Sequence, residues 1–444
     1  VTSDLRNTPR GPADQKALFP LYTITFIGTL GFGIILTFLV FLVTDYGGNA
    51  LVYGLLASTY PAFQLLGAPL LGRWSDIYGR KKILLLSQLG TLAAWVIFLA
   101  ALFIPATNLL DVESNLLGTF AITLPLIVIF FARALDGLTG GNVSVANAYL
   151  ADVTSEEERN KNYGRMSVAS NLGYVFGPAL AGALGATVYG EVLPVSAALF
   201  ISVLGVLIII FLLPEPGACT LQDHPVRKDI TKVIGQEHKE CNAPRQGEKL
   251  ALRDVFRIEN IPFMLVLYFL IFLGFNIYYT AFPIFAAVAL EWSPAELGIY
   301  FSVISAMMAF VQGPVLARLS ARYTESVLII TGGSVLGLQF LLIMPGDTYL
   351  LYLAAVFFAF GNGVMWPCIL SVLSKFAGNI YQGSVQGFAM SAGSLASILG
   401  LLAGGLLYTQ LRTTAFLIAA LIIFFVVALS FRLIGIEKEK GKIS

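Results

Sequence analysis

LGRWSDIYGRKK, Leu71 to Lys82, sets Arg73, Asp76, Arg80, Lys81 and Lys82 between two long apolar runs. Charge is scarce elsewhere: 57% of the 444 residues are hydrophobic and 12% charged, with a mean hydropathy of +0.81. No globular surface of that size can be solvated so sparsely, which excludes a soluble multidomain protein. The runs flanking the quoted stretch, and others like them, are long enough to cross a ~30 Å hydrocarbon core as helices of about 20 residues. They lie near 17–43, 52–74, 82–103, 118–150, 162–187, 193–213, 261–289, 296–320, 325–345, 348–374, 381–408 and 413–433. A transmembrane barrel would show ~10-residue alternating segments. These runs are continuous and punctuated by Gly and Pro, as membrane helices tolerate. The expected fold class is all-α and polytopic, with twelve transmembrane helices.

Basic residues gather in alternate loops. Arg6, Arg10 and Lys16 precede the first span, Arg159, Lys161 and Arg165 follow the fourth, and eight Lys or Arg from Arg227 to Arg257 follow the sixth. The opposite loops hold only Arg412. The positive-inside rule then puts both termini and the middle loop in the cytoplasm of a multi-pass cell-membrane protein. The first run is too long for a cleavable signal peptide and lacks a small-residue cleavage site after it. The expected plan is a tail (1–16), six spans (17–213), a polar linker (214–260), six more spans (261–433) and a second tail (434–444). A short amphipathic helix is expected near Ala251 to Arg257, lying on the lipid surface. The linker also holds Cys219, His224, His238 and Cys241; their spacing fits no standard zinc finger, so no metal is expected. No phosphate-binding glycine loop, cofactor motif or catalytic constellation is legible, so no enzyme, no cofactor and no nucleic-acid partner is expected. The chain is read as a monomer among membrane lipids.

The two sets of six repeat each other weakly. A shift of 245 residues aligns Pro69 with Pro314, Arg73 with Arg318, Ser75 with Ser320 and Tyr78 with Tyr323. Gly164, Gly177 and Gly182 match Gly387, Gly400 and Gly405, with the same intervals of 13 and 5. The opening stretch and PVLARLSARYTES, near residue 314, are therefore the same tight connection in each half. Gly72 removes a side chain where helices approach, and Gly79 permits positive φ. Asp76 can accept hydrogen bonds from the free N–H groups that begin another helix. Arg80, Lys81 and Lys82 can pair with acids or lipid phosphates, although topological anchoring accounts for Lys81 and Lys82 equally well. Such contacts would lock one side shut. In the second half Asp76 becomes Ala321 and Arg80 becomes Glu325, so an asymmetric gate is expected.

Arg133 and Asp136 lie inside the fourth span, where each charge costs a few kcal/mol, about 2.5–3.5 on insertion scales. Three residues apart, they share a helix face with Gly137, Gly140, Ser144 and Asn147 and can pair. Two readings stand: a permanent tie to a neighbouring helix, or a pair in which Asp136 takes and gives a proton or Arg133 holds an anionic group. In NLGYVFGPALAG, Gly173, Gly177 and Gly182 allow close helix approach and Pro178 bends the fifth helix, as a pivot or as plain small-residue packing. Asn171, Tyr174, Asn276, Tyr278, Tyr279, Gln312, Asn362 and Trp366 are polar or aromatic residues within spans. As a group they suit a cavity for a small amphiphile; singly, each also reads as an interhelical hydrogen bond or anchor.

Gly72-x3-Asp76-x2-Gly79-Arg80-Lys81-Lys82 resembles the loop signature of the major facilitator superfamily. Arg133 to Gly185 is similar to the fourth and fifth helices of its drug:proton antiporter branch, nearest the tetracycline-efflux type, and Glu291 to Ser305 and Gly361 to Ser374 to the eighth and tenth. The resemblance implies a secondary transporter that exports a small organic solute by alternating access and proton antiport. It also implies a contact of Asp76 with the eleventh helix near Gly383 and Ser384, a pair between Arg80 and Asp152, and proton coupling at Arg133. Asp136 departs from that pattern, where a small residue is usual. FIGTLGFG departs too: Gly28 stands where such proteins commonly carry a first-helix Asp. Asp136 as substitute proton site, a uniporter or importer of a metabolite or lipid-like molecule, and a non-transporting receptor remain the alternatives.

Overall fold

The structure is a computed structural model that describes residues 18–140, 142–154, 156–215 and 260–440, excluding side chains at 76, 142, 151, 156, 157, 159, 160, 377–384 and 437–440. The linker cysteines and histidines and the segment 251–257 lie outside the described residues.

The first half comprises α1 (Leu18–Asp45), α2 (Ala50–Tyr78), α3 (Arg80–Ala101), α4 (Leu124–Thr139), α5 (Asn142–Val153), α6 (Glu156–Gly185) and α7 (Val192–Phe211). The second comprises α8 (Ile261–Ile284), α9 (Pro294–Phe310), α10 (Leu316–Ser320), α11 (Glu325–Ile343), α12 (Thr348–Leu411) and α13 (Thr414–Lys440). α12 contains two candidate spans, Thr348–Phe376 and Val385–Leu411. Local chemistry sets the helix starts. Asn49 Oδ1 accepts from Val52 N at 3.1 Å, and Asp347 Oδ1 from Tyr349 N and Leu350 N at 3.0 and 3.1 Å. Ser293-Pro294-Ala295-Glu296 forms a capping box with Pro at the first helical position. Gly79, at φ 104°, turns α2 into α3 in a conformation that side chains with a Cβ rarely adopt.

Ten helical segments among the described residues are long and apolar enough to cross a membrane. The expected second and fifth spans, now α2 and α6, fall outside that set. Both lie at seams between the halves, where small and polar residues replace the uniform apolar surface that lipid demands.

The fourth span differs from expectation. Residues 118–123 are not helical: Gly118–Thr123 pairs antiparallel with Asn108–Ser114 as strands β2 and β1, with Val112 opposite Phe120 and Ser114 opposite Gly118. The ribbon closes its backbone bonds between strands, and Gly118 takes φ 77° at the turn. The helical part divides at Gly140, where two consecutive glycines remove helix propensity.

Glycines set the helix spacing. A methyl group added at Gly33 would lie 2.9 Å from Pro178 Cδ, and one at Gly177 2.7 Å from Leu30 O, so α1 and α6 touch along their backbones. Across the halves, Gly182 of α6 meets Gly298 of α9, while Gly54 of α2 meets Leu401 O and Gly405 of α12. These contacts share the side of the β-ribbon, whose tip reaches α12: Gln410 Nε2 donates to Asn115 O at 3.0 Å. On the opposite side, where the linker begins, a methyl at Gly72, Gly164, Gly313 or Gly387 would find no described atom within 4 Å. Among the described residues, the backbone-tight glycine approaches between the halves lie on the ribbon side.

Candidate functional site

Arg133 and Asp136 face the interior of the first half from successive turns of α4. Arg133 NH1 donates to Asp136 Oδ2 at 2.9 Å, and Thr91 Oγ1 of α3 donates to Asp136 Oδ1 at 2.9 Å. The guanidinium lies 4.8 Å from the centre of the Tyr60 ring of α2, a cation–π contact that substitutes for part of the lost hydration. Gln64, one turn further along α2, donates to Tyr60 Oη at 3.1 Å and to Gly140 O at 2.8 Å. It thereby occupies a carbonyl freed where α4 ends. Arg133 is 3% exposed, and its Nε finds no acceptor among the described residues. A buried donor left in that condition costs about 1–3 kcal/mol, more when charged.

Two cavities adjoin this pair. A small one of ≈ 40 Å³ lies between α1, α3, α4 and α7; Gly28, Gln88, Thr91, Arg133, Asp136 and Ser202 are on its wall. That is room for about two waters among polar partners. A larger one of ≈ 350 Å³ lies between the halves, bounded by Tyr53, Tyr60 and Gln64 of α2, Arg133, Tyr174 of α6, Tyr268, Phe272, Asn276 and Tyr279 of α8, and Ser394 and Ser397 of α12. Arg133 lines both cavities. Gly28 shares the small cavity with Asp136.

The sequence-based cavity set divides. Tyr174, Asn276 and Tyr279 line the large cavity. Asn276 Nδ2 also donates to Ser397 Oγ at 3.1 Å. Asn171 and Gln312 lie outside its wall and approach each other at 3.5 Å between α6 and the turn after α9. Trp366 stands behind the wall, 5.1 and 5.0 Å from the Tyr268 and Phe272 rings. Asn362 is turned to Met308 Sδ, and Tyr278 is fully buried against Phe282, Phe340 and Phe358. The reading missed Tyr60, Gln64 and Thr91, and Ser394 with Ser397. Their signal was polar residues repeating at three or four positions within otherwise apolar spans.

A sequence model of the Major Facilitator Superfamily matches residues 21–400 and again 264–443. The chain belongs to the major facilitator superfamily. It is therefore a multi-pass membrane transporter of small molecules rather than an enzyme. The tetracycline resistance protein, class E, of Escherichia coli is 27% identical over 407 residues, covering 90% of each chain. Multidrug resistance protein 2 of Bacillus subtilis (strain 168) is 25% identical over 432 residues, covering 96% of this chain and 97% of its own. Among solved superfamily structures, a D-xylose-proton symporter superposes with a TM-score of 0.71 at 13% identity, over 93% of this chain and 97% of its own. The human organic anion transporter MFSD10 (TETRAN) gives 0.63 at 21%, over 95% and 100%. These likenesses show the fold.

The superfamily loop lies on the side away from the ribbon. Arg80 Nε lies 2.8 Å from Asp152 Oδ2 and Arg80 NH1 2.7 Å from Ser75 Oγ; Lys81 Nζ donates to Ile210 O at 3.0 Å. All these partners belong to the first half, so Arg80–Asp152 ties α3 to α5 and does not itself join the halves. The side chains of Asp76 and Ser384, and the surroundings of Gly383, lie outside the described residues.

Proposed function

We propose that the chain carries a small amphiphilic organic solute across the membrane by alternating access, drawing on the proton gradient through Asp136 and Arg133. The resistance proteins among its relatives support export, and the resemblance of its fourth and fifth helices to the drug:proton antiporter branch favours exchange for protons. The observation that carries the reading is the Arg133–Asp136 pair itself, placed between the large cavity and the small one. A charge pair there is costly, and one whose members also touch two solvent-sized spaces has a route for a proton and a place for cargo. Backbone-tight contact between the halves at the ribbon-side mouth is what an alternating cavity requires in one of its states.

A second reading, movement of solute together with protons, has its own support. Among the described residues lining the large cavity there is no acid, so a solute cation would find no counter-ion among them to exchange against a proton. Proteoliposomes with a trapped pH dye separate the modes, with tetracycline as the first probe. Exchange predicts that uptake into acid-loaded vesicles drives protons out. Solute movement at the same rate with and without a pH step would remove coupling from the proposal.

A further inference from the structure

We infer that Arg133 seats an anionic group of the transported solute, and that this anion and a proton on Asp136 load together. The inference rests on the reading of Asp136 as the proton site and fixes the sign of the solute's charge.

Three observations converge. Among the described residues, the large cavity has one formal charge on its wall, and it is positive; Asp136 lines the small cavity and not the large one. Arg133 is almost wholly buried, yet one of its donors lacks an acceptor among the described residues, while Asp136 holds only NH1. The rest of the wall suits the body of an amphiphile: Tyr268, Phe272 and Tyr279 offer ring faces, and Asn276 and Ser394 offer polar contacts away from the charge.

Joint loading follows from charge balance. Arg133 and Asp136 sum to zero. An anion on Arg133 leaves one uncompensated negative charge in a low-dielectric interior, and one proton on Asp136 restores neutrality. By linkage the proton must then raise anion affinity by the factor by which the anion raises proton affinity. Among the described residues, no other acid or base lines either cavity. The titratable groups facing the pair are tyrosines, Tyr53 and Tyr60 of α2 and Tyr174 of α6, with Tyr279 of α8 beyond them. α1, α3 and α7 contribute Gly28, Thr91 and Ser202. Occupants that bind together travel together, so an anion would move with the proton rather than against it.

The test uses three naphthalene compounds with one ring body and heads that do not titrate: a sulfonate, a neutral alcohol and a trimethylammonium. Their binding to the full chain in lipid nanodiscs is measured by calorimetry at pH 5.5 and 8. The expected result is that the sulfonate binds at least about tenfold tighter than either other head and about tenfold tighter at pH 5.5 than at 8. Sulfonate binding should take up close to one proton, read with a dye in weak buffer. In Asp136→Asn the sulfonate should keep its low-pH affinity at both pH values. Equal binding of the three heads, tighter binding of the cation, or no sulfonate binding at millimolar concentration overturns the inference, all on unmodified protein. If those results accompany proton-driven flux that Asp136→Asn abolishes, the coupling proposal survives and only the anion seat fails. Head preference without proton uptake overturns joint loading and the Asp136 reading with it.

Discussion

Arg80–Asp152 in the first half and Lys375–Glu325 in the second are the same tie with its polarity reversed. Each links the beginning of the third span of its half to the end of the fourth, at 2.8 and 2.5 Å respectively. The shift that aligns the halves puts Glu325 where Arg80 stands. The asymmetry expected at Arg80 is therefore a change of sign; the one expected at Asp76, where the second half has Ala321, falls on a side chain outside the described residues. What the fold keeps is a fastening between two helix ends; which end carries the cation is free. The pairs differ in burial. Arg80 and Asp152 side chains are 10% and 29% exposed against 63% for Lys375, which places the first-half tie in the lower dielectric. Among the described residues, only the first half adds a charge pair at depth, whereas the interior of the second packs Tyr278 against Phe282, Phe340 and Phe358.

The deep pair gives the largest expected effect. Arg133→Leu strands a buried carboxylate and should cost about 3–5 kcal/mol, and Asp136→Asn added to it should return part of the loss. Melting in detergent for the single and double variants checks this; a stable single variant would mean that Asp136 is already neutral in the resting protein. Asp136→Asn alone should abolish gradient-driven accumulation, at least about tenfold, while solute counterflow continues. Retained accumulation would take Asp136 out of coupling and leave the halves chemically alike. Next come the two ties. Arg80→Ala should cost about 2 kcal/mol and Lys375→Ala less than about 1, because an exposed pair is worth little. Equal losses would show that burial does not distinguish them. Exchanging Arg80→Asp with Asp152→Arg gives the first half the polarity of the second, and it should recover at least half of what either single change loses. The smallest effect is expected at the ribbon, where Gln410→Ala should cost about 0.5–1.5 kcal/mol, measurable as a small drop in melting temperature in detergent.

Most of the fold was legible because lipid imposes a simple code of length and apolarity. The code weakened where helices face one another, so α2 and α6 read as spans to the eye yet fall short on apolarity. It failed at 118–123, where an apolar run belongs to a strand: β-branched and aromatic residues such as Phe120, Ile122 and Thr123 satisfy either structure. In the site, Arg133 and Asp136 were conspicuous because charge is rare at depth. Tyr60, Gln64 and Thr91 were not, since a tyrosine or threonine within a span is unremarkable until its neighbours are known. Tyr278 and Tyr279 show the limit most plainly: adjacent and chemically identical, they point into a closed core and into the cavity, and no local pattern tells which is which.

The ribbon has one remaining implication. It is anchored to its own half, with Asn49 Nδ2 donating to Leu117 O at 2.8 Å and Ala121 N to Gly47 O at 2.9 Å, and it reaches the other half through Gln410. Any motion that spread that mouth would carry the ribbon away with α1 and α2 and peel its tip from the end of α12. The last grip to release would then lie outside the bilayer, in water, where a peptide or antibody fragment wedged under the tip could hold the carrier ajar.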